Sequence, residues 1–188
     1  MGGNIQILLQ GCRRGNQKSQ LQIYKLYSEA MYFVAYRYIK DEEEAKDIMQ
    51  EGFLKAFQNI HKNVEAKAFG SWLKKIIINQ CLDRLKKKKI DTISMEDQSV
   101  EHVADDDNNW NIDGKITREQ VEKAIEELPN RYQWVTKLYL MEGYDHIEIS
   151  EILKIPVKTS RTQLRRGKML LQEQLKSYKN GTRHQKIV

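Results

Sequence analysis

The chain has 188 residues, of which 32 are Lys or Arg and 26 are Asp or Glu, so its formal net charge is +6. This length suits one medium domain or two small ones, and the positive charge is typical of a protein with a polyanionic partner. No signal peptide opens the chain, and no apolar run approaches the ~18–20 residues that span a bilayer. We therefore expect a cytoplasmic protein that is not inserted in a membrane.

The residue types that support catalysis or metal binding are scattered. Cys12 and Cys81 match no metal-ligand spacing such as C-x-x-C, and we expect both to be reduced thiols, with Cys81 in a core. The four histidines are dispersed, no carboxylate is paired with a nucleophile, and there is no Gly-rich phosphate loop. The sequence therefore predicts a protein that is not an enzyme and that has no metal and no cofactor.

Four helices are predicted before residue 90, in keeping with only two prolines and ten glycines in the chain. A short helix over about 5–13 should end near Gly15. A long helix over 17–39 follows, and its apolar spacing predicts a broad inward face that includes Leu21, Ala30, Met31 and Phe33.

The third helix should begin after Asp41, a plausible N-cap, because the three glutamates that follow suit the positive end of a helix. Residues 59–68 break the helical pattern and predict a loop. The fourth helix begins at Phe69 and ends in the basic run 84–89. Trp72 is expected to pack in the core rather than to stack on a ligand.

Charge separates the second half from the first. Residues 91–114 contain eight acidic residues and no Lys or Arg, which predicts a flexible linker. Residues 154–188 contain ten Lys or Arg and only one acid, Glu173. Helices are predicted over 117–127, after the capping-box sequence TREQ, and over 130–141, 145–153 and 157–178. The predicted fold is therefore all-α, with an N-terminal helix bundle and a C-terminal four-helix domain.

The last two predicted helices have the form of a helix-turn-helix. A short helix, DHIEISEIL, is followed by the turn KIP and by a basic helix without an acid before Glu173. Arg binds guanine bidentately and Thr reaches base edges or thymine methyls, whereas further basic residues suit phosphates. The candidate DNA-binding residues are Lys158, Thr159, Arg161, Thr162, Arg165, Arg166 and Lys168. The alternative is a solvated basic face on an ordinary helical hairpin.

Motifs in both halves together resemble the extracytoplasmic-function (ECF) sigma factors of bacterial RNA polymerase. The first half contains DIMQEGF at 47–53, FGSWL at 69–73, Asn79 and Asp83 in helical spacing, and a basic tail. The second half contains the Leu-Pro-x-Arg-Tyr sequence at 128–132, Gly143 before the first helix of the motif, and IPVKT at the turn. The resemblance covers nearly the whole chain apart from the acidic linker.

The resemblance implies two functional domains. Residues 1–90 would form sigma region two, which binds core polymerase and the minus-ten element. Residues 91–115 would be the acidic linker, residues 116–180 sigma region four with the minus-thirty-five site, and residues 181–188 a basic tail. The resemblance also implies promoter DNA and core RNA polymerase as partners, and an anti-sigma factor as a regulator.

The resemblance also assigns site residues in the first domain. The polymerase-binding residues would be Glu44, Asp47, Gln50 and Glu51, although an exposed acidic helix face is most often just solvated. The minus-ten residues would be Asn59, His61, Lys62, Asn63, Lys67, Lys74, Lys75 and Asn79, which suit a flipped base and its phosphates. For each loop residue, an ordinary polar loop is nearly as good an interpretation.

Three positions depart from the family pattern. Lys154 stands where glycine is frequent in the turn, Ser160 where valine is common, and Gln163 where arginine is frequent. Ser160 is expected to loosen helix packing and Gln163 to change which bases are read. The main alternative function is a helix-turn-helix regulator that does not act as a polymerase subunit, and a structural helical adaptor is a further one.

Overall fold

The computed structural model of the chain describes residues 2–60, 65–90 and 116–179, and side chains within 4–60, 65–87 and 116–176. All regular structure in these ranges is α-helical, as predicted. The helices are α1 Gly2–Arg13, α2 Gln17–Ile39, α3 Glu42–Asn59, α4 Phe69–Ile90, α5 Arg118–Glu126, α6 Asn130–Leu140, α7 His146–Leu153 and α8 Val157–Lys179. The chain divides into two compact units, Met1–Asp97 and Gln98–Val188.

Local caps explain where the helices of the first unit begin and end. Asn16 and Asp41 are N-caps whose side chains accept hydrogen bonds from the backbone N–H groups of Ser19 and Glu44, as the preference for such residues predicts. Between α2 and α3, Lys40 is left-handed (φ 61°) and its N–H donates to the carbonyl of Tyr36. The three glutamates at the start of α3 lie at the positive end of the helix dipole.

The core of the first unit lies where α2, α3 and α4 pack together, with α1 against α2. Apolar residues four or three apart supply the buried faces. They include Ile23, Met31, Val34, Ala35, Ile48, Met49, Phe53, Phe69, Leu73, Ile77, Ile78 and Cys81. The predicted core position of Cys81 is confirmed, and Cys12 is also a buried free thiol. Trp72 is only partly buried and packs beside Phe69, with ring centroids 5.8 Å apart.

The predicted inward face of α2 is too broad. Leu21 and Phe33 are 54% and 55% exposed, and Ala30 is exposed as well. The helix packs only the side that carries Ile23 and Met31 against its neighbours, so apolar residues outside that side face solvent. Apolar type alone did not distinguish the two sides.

The second unit is built around α8, which packs against α5, α6 and α7. Capping boxes begin α5 at Thr117 with Gln120 and α7 at Asp145 with Glu148, which confirms the predicted start of α5. Ala124 and Ile125 of α5 share a buried cluster with Leu171 and Leu175 of α8. Apolar contacts with α5 thereby hold the C-terminal half of α8. α8 also packs against α7, to which the turn connects it.

No helix in the described ranges is both long and apolar enough to cross a membrane. Within the same ranges, no three His, Cys, Asp or Glu side chains are grouped so that they could hold a metal ion. The predicted acidic linker over 91–115 and the predicted basic tail over 181–188 lie outside the described residues.

Candidate DNA-binding and partner-binding sites

The turn between α7 and α8 is held by local hydrogen bonds. Lys154 adopts a left-handed conformation (φ 57°), and its N–H donates to the carbonyl of Ser150. The Ser150 hydroxyl donates to the carbonyl of Ile155 at 2.6 Å, and the Ile155 N–H donates back to the Ser150 carbonyl at 3.2 Å. A left-handed residue other than glycine costs roughly 1–2 kcal/mol. These hydrogen bonds explain how lysine occupies a position where glycine would be unstrained.

The first half of α8 sorts its residues onto opposite sides. Ser160, Leu164, Gly167 and Leu171 are buried, and their spacing of three and four residues makes them one stripe. The opposite side of the helix carries the polar residues Lys158, Arg161, Thr162 and Arg165, of which Lys158 and Arg161 are exposed. We name these four residues the reading face. The structure thus brings four of the seven candidate DNA-binding residues together.

The other three candidates lie beside the reading face. Thr159 and Arg166 are partly buried on one flank. Lys168 lies on the other flank, with its Nζ 5.2 Å from the centre of the Tyr139 ring, a cation–π contact. Lys168 is therefore held against α6 in this structure.

The buried stripe includes a polar contact that sequence reasoning missed. Ser160 is 0% exposed, and its Oγ lies 2.9 Å from Nδ1 of His146, the first residue of α7. The hydroxyl of Ser160 therefore has a partner across the helix pair, and the expectation that serine here loosens helix packing stays a prediction. The signal in the sequence was weak, since the two residues are fourteen positions apart.

Three of the four candidate polymerase-binding residues lie on one exposed side of α3. Asp47, Gln50 and Glu51 are exposed, with helical spacing that places them on one side. The fourth candidate, Glu44, has a side chain that is only 14% exposed and lies 3.5 Å from Arg84 of α4. A second nitrogen of Arg84 lies 3.6 Å from Glu51. Arg84 of α4 is therefore ion-paired with two of the four candidate polymerase-binding residues, Glu44 and Glu51.

An exposed leucine on the same face of α3 was missed. Leu54 is 62% exposed and follows Asp47 by seven residues and Glu51 by three, so it continues their stripe. Its helical spacing could have identified it. A single exposed leucine is common on protein surfaces, so only its position beside the acidic residues relates it to an interface, where apolar and polar groups are combined.

The minus-ten candidates are described only in part. Asn59 donates from its side-chain amide to the carbonyl of Lys55 at 2.8 Å. Lys67 is exposed, and Lys74, Lys75 and Asn79 are partly buried on α4, where Lys75 and Asn79 share one stripe. His61, Lys62 and Asn63 lie outside the described residues.

Comparison with known proteins assigns both halves of the chain. Residues 23–90 match the family described as Sigma-70 region 2, and residues 118–171 match Sigma-70, region 4. The chain is 32% identical over 176 residues to the ECF RNA polymerase sigma factor SigW of Bacillus subtilis, covering 87% of this chain and 92% of the relative. It is 28% identical over 149 residues to the sigma factor SigV of the same organism, covering 79% and 86%.

Two solved structures share the fold. CnrH, in complex with the cytosolic domain of CnrY, has a TM-score of 0.54 at 18% identity, covering 92% of this chain and 97% of that one. The sigma factor RpoE of Bartonella quintana, in complex with the anti-sigma factor NepR, has a TM-score of 0.54 at 20% identity, covering 82% and 95%.

Both sigma regions occur in order in one chain, so a regulator that is not a polymerase subunit is the less favoured alternative. The chain belongs to the extracytoplasmic-function family of RNA polymerase sigma factors, which direct core polymerase to specific promoters and start DNA-templated transcription.

Proposed function

We propose that the two units divide promoter recognition between them. The first unit, within residues 1–90, binds core RNA polymerase and the minus-ten element, and the second, within 116–180, binds the minus-thirty-five element. Residues 91–115 connect the two, and tethering raises the effective concentration of the second contact once the first has formed. The protein acts in the cytoplasm as an initiation factor and neither catalyses a reaction nor needs a cofactor.

The observation that carries the proposal is the reading face of α8. Two exposed basic residues, Lys158 and Arg161, lie at the N-terminal end of the second helix, next to a turn that is held by hydrogen bonds. In a helix-turn-helix, this end contacts base edges in the major groove. The Thr162 hydroxyl donates to the carbonyl of Lys158 at 3.1 Å, so the methyl group and the accepting lone pairs of its oxygen are what it offers to a base.

We propose the remaining candidates for phosphates or for flanking bases. Arg165 continues the reading face one turn further along α8. We assign it to a phosphate, a contact that positions the protein without reading sequence. Thr159, Arg166 and Lys168 flank that face. Lys168 would have to leave the Tyr139 ring, or keep it while reaching a phosphate with its remaining donors.

The polymerase-binding site is proposed on α3. It comprises Asp47, Gln50, Glu51 and the exposed Leu54, with Glu44 acting through its ion pair with Arg84. An apolar group surrounded by polar ones is the usual composition of an interface. The partner should present basic groups around an apolar contact.

For the minus-ten element we propose the surface of α4 near Lys74, Lys75 and Asn79, together with Asn59, Lys67 and the loop residues His61, Lys62 and Asn63. Basic and amide side chains suit phosphates and an unstacked base. The partial burial of the three α4 residues is compatible with ordered side chains there.

We also propose that an anti-sigma factor binds this chain. The two solved relatives support this, because one is in complex with an anti-sigma factor and the other with the cytosolic domain of a partner protein. Such a protein would compete with core polymerase or with DNA for the faces described above.

The primary test is transcription in vitro with purified core polymerase and a template library whose upstream sequences are randomised. We expect the protein to confine initiation to a subset of templates that share two elements. Replacing Arg161 with alanine should lower discrimination at one upstream base pair by about tenfold, as loss of a bidentate contact implies. Lys176→Ala is the matched control, because Lys176 is exposed and lies about 22 Å further along α8. If core polymerase stays as indifferent to template sequence as before, the proposed function is wrong.

The polymerase site has its own test. Asp47→Lys should weaken binding to core polymerase at least tenfold while leaving helicity and thermal stability unchanged, because Asp47 is exposed. Glu29→Lys makes the same charge change at an exposed position on α2 and should bind normally. Equal affinity of the Asp47→Lys variant and the wild type would refute the assignment.

A further inference from the structure

One polar cluster joins α8, which carries the reading face, to α6 and α7. Nδ1 of His146 in α7 lies 2.9 Å from Oγ of Ser160 in α8. The His146 ring stacks on Tyr139 of α6, with centroids 5.2 Å apart and planes inclined by 28°. The same tyrosine ring also contacts Lys168 of α8, whose Nζ lies 5.2 Å from the ring centre. The cluster closes a loop of contacts from α8 through α7 and α6 back to α8.

The hydrogen bond lies at the end of α7 that is remote from the turn. His146 is the first residue of α7, whereas the turn follows Leu153. At 1.5 Å per residue these ends are about 10 Å apart. A turn alone joins two helices at a single point, about which they can pivot. A second contact at this distance restrains their crossing angle, in addition to the packing of the buried apolar residues of α7 and α8.

Ser160 also lies behind the reading face. It is two residues from Lys158 and one from Arg161, so on the helix it points about 160° away from the first and about 100° from the second. Serine inside a helix usually bonds back to its own helix, as Thr162 does to Lys158. Ser160 is instead within bonding distance of another helix, and it is fully buried. Rotation of α8 about its axis would stretch this bond and at the same time swing the reading face.

We propose that His146 and Ser160 are positioning residues that set the angle and rotation of α8 and thereby the sequence discrimination of the reading face. The inference rests on the proposed role of that face in binding the minus-thirty-five element. The contact forms with either histidine tautomer, because a hydroxyl both donates and accepts. It acts on which bases are distinguished rather than on how strongly DNA phosphates are held.

The test uses the full chain assembled with core polymerase and a duplex promoter selected from the randomised library. The ratio of its dissociation constants for the selected duplex and for duplexes with single minus-thirty-five substitutions measures discrimination. Ser160→Ala removes the hydroxyl. His146→Phe removes the nitrogen and keeps a ring over Tyr139. His146→Asn loses the ring but retains a polar atom near the position of Nδ1.

We expect Ser160→Ala and His146→Phe each to lower discrimination about fivefold, the effect of losing one hydrogen bond. The double variant should lose no more than either single variant, because both remove the same bond. His146→Asn should stay within twofold of wild type. Binding to core polymerase and the response to minus-ten substitutions should not change. The slope of affinity against salt should also be unaltered, since it counts phosphate contacts.

Three results would overturn the inference. Discrimination within twofold of wild type in both single variants would mean that the cluster only stabilises the fold. Multiplication of the two effects in the double variant would mean that the residues act separately. Loss of discrimination in His146→Asn equal to that in His146→Phe would mean that a polar atom near the position of Nδ1 does not restore discrimination, so the hydrogen bond to Ser160 would not be its cause. If Ser160→Ala does not fold, the two His146 variants decide the matter, because His146 is only partly buried.

The experiment separates this inference from the proposed function. If wild type shows no upstream discrimination, both are wrong. If wild type discriminates and Arg161→Ala abolishes the preference while the His146 and Ser160 variants keep it, the reading face stands and only the positioning role fails.

Discussion

Replacing Gly167 with alanine adds one methyl group where α8 lies against α6. A Cβ atom at Gly167 would overlap Oγ1 of Thr136, and it would lie 3.4 Å from the carbonyl oxygen of Tyr132 and 3.5 Å from Cβ of Thr136. Thr136 is fully buried, so its side chain cannot turn towards solvent to relieve the overlap. The chain must move one helix against the other or displace the threonine side chain.

The expected magnitude follows from two opposing effects. Inserting a methylene into a packed core costs about 1–3 kcal/mol, whereas alanine is about 1 kcal/mol better than glycine inside a helix. The net change in the free energy of unfolding of Gly167→Ala is therefore a loss of about 1 kcal/mol, or roughly 4–8 °C in Tm for a unit of this size.

Thr136→Ala is the matched background. It removes the overlapping oxygen, which is buried and has no hydrogen-bond partner among the described residues. The remaining contacts of 3.4 and 3.5 Å fit an added Cβ. In that background Gly167→Ala should stabilise the unit by about 1 kcal/mol through helix propensity. The two backgrounds should thus differ by about 2 kcal/mol, within the range for residues in contact.

Native-state hydrogen exchange of the four proteins measures this cycle, because peptides from α6 and α8 report the second unit separately from the first. Exchange in α3 peptides is the internal control and should not change. The reasoning is refuted if Gly167→Ala stabilises α6 and α8 equally in both backgrounds, because the close approach would then carry no energy.

Three further changes test other parts of the structure. Gly52→Ala should destabilise the first unit by about 1 kcal/mol in chemical denaturation, since its Cβ would overlap Cδ1 of Ile77. In an Ile77→Val background, which lacks that atom, the same substitution should carry no penalty. An equal penalty in both backgrounds would contradict the packing. Asp145→Ala removes the capping box of α7 and should cost about 1 kcal/mol, with faster amide exchange in the first turn of α7, while Asp145→Ser should retain most of the protection. Burial raises the pKa of Tyr144 above its ordinary value of 10.0, so its contribution to stability is complete below pH 10 and is lost as the pH rises further. Alkaline titration of unfolding should therefore show a shallower decline in Tyr144→Phe than in wild type, and identical slopes would exclude a contribution from this residue.

Helix positions were largely predictable because they depend on neighbours in the sequence. Asp41 and Thr117 accept hydrogen bonds from residues three positions later, so the cap pattern is complete within one turn. The long α2 was predicted with the bounds it has, since it lies between Gly15 and Asp41. The helix-turn-helix was predictable for the same reason, and the helical period alone shows which residues of α8 share the reading face.

Contacts between distant residues were not predictable from the same patterns. The pairing of Arg84 with Glu44 spans 40 positions, and nothing in the local sequence of either residue favours the other. The same holds for the contact between Thr136 and Gly167. Only the packing of α3 with α4 and of α6 with α8 brings these side chains together.

Patterns within the chain were enough to predict the helices, the acidic and basic segments and the resemblance to both sigma regions. Which apolar residues are buried depends on the packing of the helices, as Phe33 and Leu54 show, and so does which polar residues have partners, as Ser160 shows. Periodicity defines the sides of one helix, whereas burial depends on which side another helix covers. A side chain's chemistry is local, but its surroundings are supplied by the rest of the fold.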